Sequence, residues 1–200
     1  MNVHLELTDP SKSYIIKNLY PLYLHDLSGH YELEDGPQLN AHGIFEDDEE
    51  VRTLAEQYHV QNIWWDKPGC LYPFLIRAGK LPAGFALVAT PPHCAAGTDY
   101  FLNDFFVLQP FRGKGIAGQA ALQVFRRFRG NWELFTNPAE KNVAGRKFWQ
   151  RTIAAYTGGN YEEEYRETFD GYKLAFRFNN KSFNSGPPLG GQSTLKEQYP

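Results

Sequence analysis

The stretch from Tyr100 to Gly130, YFLNDFFVLQPFRGKGIAGQAALQVFRRFRG, constrains the fold of this chain more than any other. Phe101 to Leu108 is aromatic and apolar with almost no helix formers, which predicts a buried strand. Pro110 ends that strand, because proline cannot donate to a sheet ladder. Arg112-Gly113-Lys114-Gly115-Ile116-Ala117-Gly118 then opens directly into a helix, with Ile116, Ala120, Val124 and Phe128 at helical spacing. Strand, glycine turn and helix start make a natural anion site. The first turn of a helix has unpaired N–H groups and the positive end of the dipole, and glycines let a phosphate approach the backbone.

Several phosphate-binding readings compete for these glycines. Gly113-x-Gly115-x-x-Gly118 satisfies the dinucleotide-binding pattern, and Glu133 lies about where the ribose-binding acid of that pattern is expected. Against it, the motif sits mid-chain, Pro110-Phe111-Arg112 separates strand from glycines, and Glu133 begins the next strand instead of ending it. A P-loop is excluded because no Gly-Lys-Ser/Thr follows. An ordinary strand-to-helix turn is the bland alternative, since glycine triplets alone are weak evidence.

Val107-x-x-Pro110-x-Arg112-Gly113-x-Gly115-Ile116-Ala117 resembles the acetyl-CoA-binding motif of the GNAT superfamily of N-acetyltransferases, whose core is Arg/Gln-x-x-Gly-x-Gly/Ala. Downstream, Asn142-Val-Ala-Gly145-Arg-Lys-Phe148-Trp149 resembles that family's second motif, an Asn followed by a helix with small and aromatic residues. One helix and one strand separate the two, as in the family. The resemblance covers residues 70 to 178, and Val3 to Leu27 suits the family's opening strand and helix. This sequence departs from the pattern twice: Gly145 stands where Ala is usual, and Trp149 where many members carry the Tyr that protonates the departing thiolate.

The resemblance implies an α/β fold with a mixed, mostly antiparallel central sheet flanked by helices and splayed at the cofactor strand. It implies an acetyl-CoA-dependent N-acetyltransferase, with acetyl-CoA as co-substrate and no metal. By analogy the pyrophosphate rests on backbone N–H groups of Gly113, Lys114, Gly115, Ile116, Ala117 and Gly118, with charge from Arg112 and Lys114. Phe105, Phe106 and Val107 offer backbone groups to the pantetheine arm, and Asn142 binds that arm or orders water beside it. For the general base the candidates are Asp104, near the acetyl end, and Glu133, opening the strand that often supplies a carboxylate; either needs burial to raise its pKa, or a water relay. For the acid, Tyr156 is the nearest tyrosine on the second-motif helix, ~10 Å beyond the usual position; solvent is the alternative proton source. Two other readings remain open: a GNAT-like acyl-CoA-binding module without transferase activity, and a dinucleotide-dependent oxidoreductase. Dimers are common in the family.

Two hundred residues at net charge −3 suit one domain with a sizeable core. The mildly acidic balance argues against nucleic-acid binding, which needs a basic surface. Cys70 and Cys94 make no disulfide framework or metal signature. No apolar run approaches the ~20 residues of a membrane span, and the N-terminus lacks a signal-peptide pattern, so the expected location is cytoplasmic.

In chain order, Val3 to Leu7 alternates as a half-buried strand, and Asp9-Pro10 starts a helix to Leu27 that is expected to break or kink before Pro21. Residues 28 to 50 are polar and acidic (Glu32, Glu34, Asp35, Glu46 to Glu50), as is the segment Glu162, Glu163, Glu164 and Glu167. These acids are either solvated surface or a negative rim that draws a cationic acceptor, a small-molecule or peptide amine. A short helix over Val51 to His59, strands at Leu71–Arg77, Ala83–Thr90 and Trp132–Thr136, and a helix at Asn142–Tyr156 with Val143, Phe148 and Ile153 inward are expected. Ala78-Gly79-Lys80 joins the first two of these strands as a hairpin, and a second hairpin turns about Asp170-Gly171. His93 and Cys94 point apart on an extended chain and make no nucleophile pair. The domain is expected to span residues 1–179, with a Gly/Pro/Ser-rich tail at 180–200.

Overall fold

The computed structural model describes residues 1–32 and 36–182. Glu34, Asp35 and the part of the expected tail from residue 183 onward lie outside the described residues. Strand β1 (Val3–Leu7) leads into a 3₁₀ turn at Pro10–Lys12, where the Asp9 carboxylate accepts the Ser11 N–H at 2.8 Å. Helix α1 (Ser13–Ser28) follows and, contrary to the expected break, runs through Pro21 without interruption. Ile16 and Leu19 pack with Trp65, Leu75 and Phe85, and tertiary packing of this kind outweighs the loss of one helical hydrogen bond.

Helix α2 (Leu54–Val60) is nucleated by a capping box between Thr53 and Glu56. The short α3 (Ile63–Asp66) carries the buried Trp65. Strands β2 (Leu71–Ala78) and β3 (Leu81–Ala89) form the expected hairpin, and β4 (Tyr100–Val107) follows. Then come α4 (Ile116–Arg127), β5 (Asn131–Thr136), α5 (Val143–Thr157) and the hairpin β6 (Glu162–Thr168) and β7 (Gly171–Asn179).

Among the described residues these strands make one seven-stranded sheet in the order β1-β2-β3-β4-β5-β7-β6. Every neighbouring pair is antiparallel except β4 with β5. The β4–β5 pair is registered only from Tyr100 opposite Trp132 to Leu102 opposite Leu134, after which the two strands part. This is the splay expected of the cofactor strand.

Alternate residues of the central strands enter opposite cores, so their sequences are nearly continuous apolar runs. Phe74, Val88, Leu102, Leu134 and Phe176 meet Val124 and Phe125 of α4 and Trp149 and Ile153 of α5 on one face. Leu75, Phe85, Leu87 and Phe106 meet α1 and Trp65 on the other. Each such fully buried side chain contributes about 1.5–3 kcal/mol. Val143, expected inward, is 39% exposed, because the helix begins on its solvent side.

Asn180, assigned to the tail by its composition, is completely buried. Its side-chain oxygen accepts the Gly130 N–H at 2.8 Å, while its amide nitrogen donates to the carbonyls of Phe125 and Phe128. That residue ties the end of β7 to the end of α4. No helix among the described residues is long and apolar enough to cross a membrane.

Candidate functional site

The glycine turn joins β4 to α4. Gly113 and Gly115 both have φ of +73°, a left-handed conformation that residues with a Cβ rarely adopt. Gly115 is the N-cap of α4 and supplies no side-chain cap, so the first-turn N–H groups are left to another acceptor. A Cβ built on Gly113 or Gly118 would meet nothing within 4 Å, so the space over the turn is open. This combination fits a phosphate-bearing group held by backbone N–H donors. Ile116 is buried beneath the turn and anchors it to Val3, Ile76 and Val107.

Arg112 does not extend over the turn. Its Nε donates to the Val107 carbonyl at 2.7 Å, its terminal nitrogen pairs with Asp26 of α1, and its guanidinium lies 5.7 Å from the centre of the Phe106 ring. Arg112 therefore braces the end of β4 against α1. Lys114 donates to the Pro110 carbonyl at 2.6 Å, closing the turn from the side.

Strand β4 carries a bulge. Leu87 is opposite Asp104 while Val88 is opposite Leu102, so Asn103 is the extra residue. The bulge turns Asp104 into the protein beside α1, where its Oδ1 accepts the Tyr23 hydroxyl at 2.8 Å and its Oδ2 accepts Asn103 Nδ2 at 2.9 Å. Burial pushes the Asp104 pKa up, against the opposing pull of those two hydrogen bonds. The Asp104 charge and burial in turn push Tyr20 well above an ordinary tyrosine; burial and then the Asp104 charge do the same for Tyr23.

Glu133 has a different environment. It is 1% exposed, its Oε1 is shared by the guanidinium groups of Arg166 and Arg177, and its Oε2 accepts the Thr98 hydroxyl at 3.2 Å. Tyr156 packs against Phe125 and Phe178, and its hydroxyl donates to the Phe125 carbonyl at 3.2 Å. Asp104, Glu133 and Tyr156 thus sit in three separate settings, of which only that of Asp104 adjoins α1 and the splayed half of β4.

Asn142 is buried at the start of α5, donating to Thr136 Oγ1 at 3.0 Å and to the Asn137 carbonyl at 2.8 Å. Its side-chain oxygen occupies the space that a Cβ on Gly145 would need, which accounts for glycine at that position. Trp149 meets Phe105 edge-on at 5.1 Å and fills the gap between α5 and β4.

Beside α1 lies a cavity of about 480 Å³, lined by Tyr20, Phe45, Glu46, Asp47, Trp64 and Asp170, among others. Lys173 also faces it, bonded to the Tyr31 hydroxyl at 3.0 Å and paired with Asp170 at 3.3 Å. Burial opposes its charge, but Tyr31 and Asp170 hold its pKa above the ordinary lysine value. Of the acids predicted to form a rim, Glu46 and Asp47 line this cavity. Glu32 instead pairs with Lys141, and Glu163 and Glu164 bond Gln150, Arg166 and Arg177 on the outer strand.

The residues that sequence reading missed are Tyr20, Tyr23, Asp170 and Gly84. A Cβ on Gly84 of β3 would overlap the Phe106 carbonyl, so β4 lies unusually close to β3 there. An isolated glycine in an apolar strand signals such an approach.

Solved structures with the same fold include aminoglycoside acetyltransferase AAC(6')-Ib in complex with coenzyme A and kanamycin, at 14% identity, covering 91% of this chain and 97% of that one with a TM-score of 0.61. Mycobacterium smegmatis RimJ in complex with CoA-disulfide shares 14% identity over 92% of this chain and 84% of its own, with a TM-score of 0.60. RimL, a ribosomal L7/L12 alpha-N-protein acetyltransferase in complex with coenzyme A, shares 16% over 90% and 96%, with a TM-score of 0.58. No curated protein sequence matches the chain. The family model described as acetyltransferase (GNAT) family matches residues 39–154, more than half of the sequence and both motifs, and the chain belongs to that family.

Proposed function

We propose that this protein transfers an acetyl group from acetyl-CoA to the amine of a small cationic acceptor. The observation that carries the reading is the buried Asp104, held at the bulge where β4 leaves β5 and backed by the α1 tyrosines, one of which, Tyr20, lines an acid-rimmed cavity. Acetyl-CoA would supply an activated thioester. The open turn at Gly113 to Gly118 would hold its pyrophosphate, and the edge of β4 at Phe105 to Val107 would face its pantetheine arm, with Asn142 ordering the start of α5 beside it.

Amide formation replaces the thioester C–S bond by a C–N bond, while the nitrogen sheds a proton and the sulfur gains one. We assign the proton-accepting role to Asp104, whose raised pKa suits a general base. Glu133, clamped between two guanidinium groups, orders β5 against β6 and β7. Tyr156 is committed to the Phe125 carbonyl, so solvent supplies the proton to sulfur. Glu46 and Asp47 at the cavity favour a cationic acceptor, as does the fold's likeness to an aminoglycoside acetyltransferase in complex with coenzyme A and kanamycin.

The test is calorimetric titration of acetyl-CoA into wild type and Gly115→Glu, followed by thiol release across an amine panel. Saturable binding lost in the folded variant, with amine-dependent thiol release, supports the reading. Absence of binding by wild type overturns it. Trp149, packed on Phe105 where a tyrosine is common in the family, favours a second reading, a binding module without turnover; binding with no thiol release from any amine selects it.

A further inference from the structure

The cavity beside α1 has a feature that a site for a single amine does not require. Gln57 and Gln61, four residues apart and so on neighbouring turns of α2 and its C-cap, both line it. They are 2% and 7% exposed. The Gln57 amide nitrogen donates to the Phe45 carbonyl at 2.6 Å, which fixes the orientation of that amide. Yet the side-chain oxygens of both Gln57 and Gln61 are buried with no hydrogen-bond partner among the described residues. Buried acceptors are rarely left unpaired, and two orphaned oxygens on residues that line one cavity call for a donor.

The rest of the lining points to the same ligand chemistry. Glu46 and Asp47 make no ion pair among the described residues, and the Glu46 carboxylate accepts only the Asp47 N–H, at 3.3 Å. The cation facing the cavity, Lys173, is already engaged by Asp170 and Tyr31. Tyr20, Phe45 and Trp64 add aromatic surface suited to ammonium groups and their methylenes. The lining therefore offers acceptors and negative charge and, among the described residues, no unengaged cation.

We propose that Gln57 and Gln61 bind a second ammonium group of the acceptor, distinct from the nitrogen that is acetylated, so that the substrates are diamines and polyamines and simple monoamines are discriminated against. This rests on the acceptor-cavity reading above. The glutamine oxygens act as neutral acceptors for one ammonium, Glu46 and Asp47 hold it by charge, and the acetylated nitrogen lies toward Tyr20 and Asp104.

The experiment is calorimetric titration of the full chain, without acetyl-CoA, using 1,4-diaminobutane, spermidine, kanamycin and n-butylamine as probes. The expected result is at least tenfold tighter binding of a multiply charged probe than of n-butylamine. Gln61→Leu should erase that preference, whereas Gln61→Glu should tighten it, an opposite sign that a purely structural role cannot produce. Circular dichroism and acetyl-CoA binding of each variant establish that the fold and cofactor site are intact. Tighter binding of kanamycin than of the linear amines assigns the second ammonium to an amino sugar, and the reverse order to a linear polyamine. Equal affinity for diamines and n-butylamine, or an unchanged preference in Gln61→Leu, overturns the proposal and leaves the two oxygens to ordered water. Because acetyl-CoA binding and thiol release are read separately, this failure is distinct from failure of the transferase reading.

Discussion

The Tyr23 hydroxyl donates to Asp104 Oδ1 at 2.8 Å, joining the middle of α1 to the bulge of β4. That bond positions a buried carboxylate whose pKa is raised first by burial, and it limits the rise by favouring the charged form.

Activity is expected to climb with pH as Asp104 ionises, with its inflection raised from the ordinary aspartate value by burial. Removing the Tyr23 hydroxyl (Tyr23→Phe) takes away a bond to the charged form, so the inflection should move further up. A pH profile of kcat/KM for wild type and Tyr23→Phe checks both. An inflection that is absent or moves down would exclude Asp104 as the base.

Stability should respond to the same group with the opposite trend. A raised folded-state pKa contributes stability that is full below the unfolded value and is lost as pH rises through the folded one. At neutral pH the ionised Asp104 is therefore a cost, and Asp104→Asn should raise Tm while cutting kcat by 10²-fold or more, the scale of general-base catalysis. Each 1 kcal/mol relieved corresponds to about 2–4 °C in a chain of this size. A falling Tm in a thermal melt would contradict this account.

Glu133 is expected to act structurally, because it is buried and shared by two guanidinium groups. Replacing it by glutamine leaves Arg166 and Arg177 around a neutral amide, and breaking a buried pair of this kind costs about 3–5 kcal/mol. Denaturant unfolding of Glu133→Gln should show that loss, with residual activity in the folded fraction. A variant of wild-type stability but no activity would instead make Glu133 the base.

Gly145 and Gly84 are sites where one methyl group should be felt. Gly145→Ala forces its Cβ onto the Asn142 side-chain oxygen, and Gly84→Ala forces it onto the Phe106 carbonyl. Overpacking of this kind costs about 1–3 kcal/mol. Gly84→Ala should also weaken acetyl-CoA binding, because the displaced strand is the proposed cofactor edge; equal affinity in calorimetry would separate β4 from the cofactor. Asn142→Ala combined with Gly145→Ala should cost less than the sum of the two single changes.

The glycine turn, the helix after it, the hairpins and the second-motif helix were all legible in the sequence, because each depends on residues close together along the chain. Period-two alternation in Val3–Leu7, helical spacing in Ile116–Arg127 and the Asp170-Gly171 turn act locally and need no knowledge of what packs against them. The turn before α4 was legible for the same reason: two left-handed glycines, Gly113 and Gly115, and an uncapped helix start form it from neighbouring residues.

Only the tertiary structure decided what the charged and polar residues do. Asp104 and Glu133 are both acids on central strands, yet one meets a tyrosine from α1 across 81 positions of sequence and the other two arginines from β6 and β7. Asn180 carries no signal that separates it from a tail, but its amide closes the end of α4. Pro21, a residue expected to break or kink the helix, is carried within α1 without interruption, with Ile16 and Leu19 buried on its inner face. Local sequence sets the period and the turns, whereas burial, charge pairing and register at the splay arise from contacts between distant segments, and those contacts set the surroundings of each acid.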